Sequence, residues 1–174
     1  MSIRTSLAPF GAALAFGILL AAARADATPI SVNKTFTPNS IALGGTSVVT
    51  VTLQNSDTTS AAAISNFEDD ISTMGVYGVV DTAAGVTTTC PGGTPSIAGQ
   101  VVSMTNGSIP EAPSSIVPGS CTITFSVLGN HAGNGMNTIA AANVTTSLGS
   151  PLGDVTQTLT VLNANVTVSA SANQ

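Results

Sequence analysis

Cys121, Ile123, Phe125 and Val127 alternate with Thr122, Thr124 and Ser126 in a stretch delivered by Pro118-Gly119. A period of two marks a strand with one buried face and one wet face. Residues 46–54 repeat the pattern, with Val49, Val51 and Leu53 inward and Thr50, Thr52 and Gln54 outward. Residues 30–36 do so again: Ile30, Val32 and Phe36 share a face, and Lys34 interrupts the row. An inward-side lysine near a sheet edge guards against edge-to-edge pairing, and Lys34 is read in that sense. Residues 61–67 form a third strand with small side chains on one face, followed at once by Glu68-Asp69-Asp70. Residues 74–80 form a short strand or an ordered loop, and residues 100–104 a strand ended by the tight-turn signal Asn106-Gly107. Pro110 and Pro113 remove ladder donors from residues 109–117, which read as irregular. The opening strand runs over residues 121–128, and the glycine-rich residues 129–135 read as a loop. Residues 137–145 and 155–161 close the pattern, and Val166 and Val168 hint at one more alternation. No stretch after residue 30 carries a period of 3.6. About seven to nine short strands with regular turn signals predict an all-β antiparallel sandwich.

The N-terminal residues follow a different rule. A short start carrying Arg4 leads into an apolar run over residues 7–23, then into Ala23-Arg24-Ala25 and Ala25-Asp26-Ala27. Charged start, apolar middle and small-residue exit predict a helical signal peptide over residues 1–25, cleaved after Ala25 or Ala27. A membrane anchor is the rival reading, but the run is marginal for a hydrocarbon core of roughly 30 Å. Residues 26–162 are the expected sandwich domain, and residues 163–174 a C-terminal extension that adds a strand or frays. No later stretch approaches membrane-spanning length, so no membrane span is expected in the mature chain.

Removing the leader changes the charge picture. Both arginines leave with it, and Lys34 is then the sole basic side chain beside the acids. An acidic, nearly cation-free surface repels phosphate backbones and excludes nucleic acid as a partner. Few charges alone do not mean disorder, because 43% of residues are hydrophobic and the excess is in Val, Ile, Ala and Thr. Two cysteines, Cys90 and Cys121, in an exported chain are expected to pair with each other. A redox or metal pair would need close spacing or histidine partners, and neither is present.

The motifs taken in order are similar to those of a known group. Lys34-Thr35-Phe36-Thr37-Pro38 precedes Ile41-Ala42-Leu43-Gly44-Gly45-Thr46-Ser47 and a Val/Thr strand closing on Asn55. Phe67-Glu68-Asp69-Asp70-Ile71 resembles a Phe-Thr-Asp-x-Leu-Pro element, with Ser72 at the place of the proline. Thr88-Thr89-Cys90, Asn106-Gly107-Ser108-Ile109-Pro110, Gly119-Ser120-Cys121-Thr122-Ile123 and Asn137-Thr138-Ile139 continue the match over residues 30 to about 150. The chain resembles the bacterial conserved-repeat domain of unknown function, an Ig-like module of secreted and cell-surface proteins. The resemblance implies an Ig-like sandwich, a Cys90–Cys121 bridge and an extracellular structural role, and it implies no catalytic residues.

The chemistry-bearing side chains agree with that expectation. Catalysis needs a nucleophile, a base and a charge stabiliser within reach of one another. The single histidine, His131, stands in a glycine-rich loop, and no hydrolase, zinc or phosphate-cradling motif occurs. Catalytic residues and cofactors are therefore expected to be none. Glu68, Asp69 and Asp70 are the metal candidates, as oxygen ligands for calcium at a strand end, set against a solvated loop whose Asp bonds turn amides. A single tyrosine, Tyr77, and no tryptophan leave little aromatic platform for sugars. Asn33, Asn106, Asn143 and Asn165 begin N-x-Ser/Thr sequons, a chance product of a Thr/Ser-rich chain to which no function is attached. The expected function is an exported, non-catalytic structural module of the cell surface or extracellular matrix. It would be secreted, periplasmic or extracellular, and its partner an unknown protein or another copy of itself. The alternatives are an adhesin or ligand-binding accessory using residues 109–117 and 129–135, and a fibre subunit. A fibre would form by adding residues 26–32 or 163–169 to a neighbour's sheet edge.

Overall fold

The computed structural model describes residues 29–163. The expected signal peptide, both cleavage positions and the Val166/Val168 alternation lie outside the described residues. Among the described residues the strands are β1 (Ile30–Thr37), β2 (Ser40–Ala42), β3 (Thr46–Asn55), β4 (Ala62–Asp70), β5 (Gly78–Val80), β6 (Val86–Thr88) and β7 (Thr94–Ala98). They continue with β8 (Val101–Thr105), β9 (Ser108–Ile109), β10 (Gly119–Gly129), β11 (Gly133–Ile139), β12 (Val144–Thr146) and β13 (Val155–Leu162). Two single 3-10 turns, Ile71–Met74 and Ala141–Asn143, interrupt them.

The period-two residues build the first sheet, ordered β1-β3-β10-β5, with β6 pairing a further part of β10. In the β3–β10 ladder Cys121 faces Leu53, Ile123 faces Val51 and Phe125 faces Val49. Each of these side chains is buried, while the threonines between them are partly wet. Cross-strand pairs of this kind are the stabilising unit of a sheet. A second sheet is ordered β12-β4-β8-β7, with β9 on β4, and a third is ordered β11-β13-β2. All pairs are antiparallel except β13 with β2. The sheets enclose one apolar cluster, with Leu53, Phe67, Met104, Ile123, Ile139 and Leu159 each fully or almost fully covered.

Several boundaries differ from the sequence expectation, each for a local reason. Strand β4 runs on to Asp70, so the three acids end a strand rather than follow one. Residues 74–80 divide into the end of a 3-10 turn and β5, because Gly75 takes φ 64° and closes that turn. Residues 137–145 are not one strand: β11 stops at Ile139, a 3-10 turn follows, and β12 begins at Val144. Strand β7 carries Pro95 and went unrecognised; it is a terminal strand of its sheet, where a proline costs no ladder partner. The count exceeds seven to nine because several strands hold only two or three residues.

Candidate functional site

Lys34 and Asp69 are the chemically notable pair. Alternation along β1 puts Ile30, Lys34 and Phe36 inside. Asp69 reaches the interior from β4 in the second sheet by a less regular route. Thr145 pairs with Asn66 but Thr146 with Ile64, so Ser65 is an extra residue and a bulge. A bulge switches the phase of a strand: Ala62 and Ile64 are buried before it, Phe67 and Asp69 after it. Lys34 Nζ donates to Asp69 Oδ2 in direct contact, and both side chains are 0% exposed. The ammonium also stands 5.6 Å from the ring centroid of Phe36. Burial is the main cause of a Lys34 pKa below the usual lysine range, opposed by the charge and hydrogen bond of Asp69. Among the described residues Asp69 Oδ1 has no hydrogen-bond partner, nor has the buried Oδ1 of Asn137 on β11. Asn137 Nδ2 donates to Asp70 O and to Thr73 Oγ1, both at 2.9 Å.

The reading of Lys34 as an edge guard is therefore corrected, because a fully covered side chain presents no charge to an approaching strand. The solvated-loop reading of the acids is corrected for Asp69 as well. The three ion candidates diverge: Glu68 is half-buried, Asp69 points into the core, and Asp70 Oδ1 accepts from Ser72 N at 2.9 Å to cap the 3-10 turn. Among the described residues no group of three His, Cys, Asp or Glu is placed to hold a metal. The pairing had one signal in the sequence. The chain's only lysine sits on an inward row, and a buried cation demands a buried anion.

Other acids serve turns. Asp57 Oδ1 accepts from Thr59 N, Thr59 Oγ1 and Ser60 N, and these bonds, led by the hydroxyl, lower its pKa. Asp81 Oδ1 accepts from Ala83 N, and Asp154 Oδ1 from Ala141 N.

A disulfide joins Cys90, just past β6, to Cys121 near the start of β10. Beside it Thr89 N donates to Thr122 O at 2.9 Å, and Thr122 N to Thr89 Oγ1 at 2.8 Å. The enclosed excursion holds β7, β8, β9 and the proline-bearing loop. That loop is held tightly where it returns: a Cβ on Gly119 would lie 2.0 Å from Pro110 O and 2.5 Å from Glu111 O.

The two loops expected at the sandwich ends behave differently. Residues 129–135 belong mostly to β10 and β11, leaving a turn of Asn130, His131 and Ala132, with His131 exposed. Gly133 is packed so closely that a Cβ would meet the Tyr77 ring at 2.4 Å. Within the other loop, Ser114–Ile116 forms one wall of a groove also lined by residues 29–32, residues 151–153 and Val155. Ile116 and Leu152 on its rim are 88% and 82% exposed. No helix among the described residues is long and apolar enough to cross a membrane.

A family model described as a domain of unknown function, DUF7933, matches residues 29–161. No curated protein matches the sequence. Two solved structures similar to the chain are those of BcpA, the major pilin subunit of Bacillus cereus, and of a variant of it. Their TM-scores are 0.47 and 0.49, each at 8% identity. The alignments cover 77% of this chain, which spans 40% of each pilin chain.

Proposed function

The chain belongs to the DUF7933 family of domains of unknown function, and from that premise we propose that it is an exported, non-catalytic structural module of the cell surface or extracellular matrix. The observation that carries this reading is where the polar chemistry is spent. The sole lysine is used on a buried aspartate, and Asp57, Asp70, Asp81 and Asp154 on backbone amides of turns. Those groups hold the backbone in place, as a scaffold requires. The Cys90–Cys121 bridge and the signal-like leader support an oxidising, extracytoplasmic location. Cell fractionation tests the proposal. The mature chain is expected in the envelope or culture medium, with no free thiol and an N-terminus at residue 26 or 28. Retention in the cytosol with two free thiols would sink it.

A second reading, self-association into a fibre, is favoured by the groove. It runs beside Ile30, Ser31 and Val32 of β1, the terminal strand of its sheet, and its rim is apolar. Residues 163–169 of a second copy are the proposed occupant, adding as a strand. Negative-stain imaging of purified mature protein should show filaments that are lost when residues 163–174 are deleted. Small monodisperse particles at high concentration would rule the fibre out.

A further inference from the structure

The Lys34–Asp69 contact is unusual for an ion pair. Both side chains are fully covered, yet the carboxylate has one oxygen on the amine and the other with no donor among the described residues. A buried ion pair repays its desolvation only when the remaining lone pairs and protons are also hydrogen-bonded. This pair lacks that support, and its two strands belong to different sheets, so neither can withdraw without opening the core. We propose that Lys34 and Asp69 are the two ends of an intramolecular amide cross-link, formed between Nζ and Cγ after folding.

The chemistry balances without an outside reagent. Nζ passes one proton to Oδ2, giving a neutral amine and a neutral carboxylic acid. The amine lone pair attacks Cγ, and a second proton moves from nitrogen to the same oxygen. That oxygen leaves as water and breaks the Cγ–Oδ2 bond, while the amide keeps the third proton on nitrogen. Two charges and one unmatched carboxylate are replaced by one neutral amide. Burial favours the neutral amine that the attack requires. Holding the reacting groups in contact supplies an effective concentration that reaches on the order of 10⁵–10⁸ M in well-oriented systems. A covered site also keeps bulk water away from the reverse reaction.

The sequence makes the test clean, because Lys34 is the only lysine in the chain. The full-length exported protein is purified, denatured and reduced, and its intact mass and amine reactivity are measured. The expected mass is lower than that of the mature sequence by one water molecule. An amine-reactive label should modify the N-terminus and leave Lys34 unmodified. Peptic digestion should yield a branched peptide joining residue 34 to residue 69. Asp69→Ala and Lys34→Arg should each restore the full mass. The wild-type measurement stands by itself if either variant fails to fold. A full wild-type mass with Lys34 labelled overturns the proposal. Loss of one ammonia instead of one water, with the branch at Asn137, overturns the assignment to Asp69.

Discussion

Asp57 shows how an exposed side chain earns a place in the fold. Its carboxylate collects three donors from Thr59 and Ser60, which hold the turn after β3. Those bonds favour the charged form and put its folded pKa below the ordinary 3.8. The unfolded chain therefore takes up this proton first as pH falls. The stabilisation from Asp57 is fully present above 3.8 and is lost as pH drops through the folded value. An Asp57→Ala variant should melt below the wild type at pH 7, and the two melting curves should converge under strongly acidic conditions. A gap that stays constant with pH would assign the effect to packing. Neighbouring Asn55 makes the same kind of contribution without charge: its Oδ1 accepts from Asp57 N at 2.9 Å and its Nδ2 donates to Ser60 O at 2.8 Å.

At the scale of elements, β4 is where the chain departs from simple alternation. Deleting Ser65 would remove the bulge and restore plain alternation, with Ile64, Phe67 and Asp69 still on the buried face. Truncating the side chain that the bulge brings inward, by Phe67→Ala, should cost about 3–5 kcal/mol, measured by denaturant unfolding. The same bulge explains what was legible in the sequence and what was not. Strands β3 and β10 keep strict period two along their whole length, so their inward residues were readable one by one. In β4 the strand itself was readable, but the phase after Ser65 depends on pairing with β12, nearly 80 residues later in the chain. From the sequence alone Asp69 is therefore one of an acidic run, with nothing local to mark it as the partner of Lys34. Strand β7 was hidden for a similar reason, since Pro95 is acceptable only because β7 ends its sheet. Local pattern reveals local structure; bulges and sheet edges are decided by distant segments.

For the whole molecule, two long-range ties divide the work. The disulfide stays beside the first sheet, between the end of β6 and β10, while the Lys34–Asp69 contact passes from the first sheet to the second. Replacing Cys121 by Ser releases an excursion with a sequence separation of 31 residues. The change should lower unfolding free energy by about 3–4 kcal/mol on the chain-entropy model. It should also expose one titratable thiol at Cys90 once the chain is unfolded. A variant as stable as the wild type would mean that the ladder of β10 with β3 and β6 holds the excursion unaided.

The placement of Lys34 has a further consequence, in digestion. Proteases that cut after lysine or arginine find Arg4 and Arg24 near the N-terminus, and then only the bond after Lys34. That bond lies within β1, laddered to β3 from Ile30 to Thr37, with its side chain sealed inside. The remaining 140 residues offer such enzymes no site at all, folded or not. Trypsin added to the native protein should leave everything beyond residue 24 as a single fragment, even on prolonged exposure. A shell of such modules would be silent to an entire class of digestive enzymes, and one covered side chain is what completes that silence.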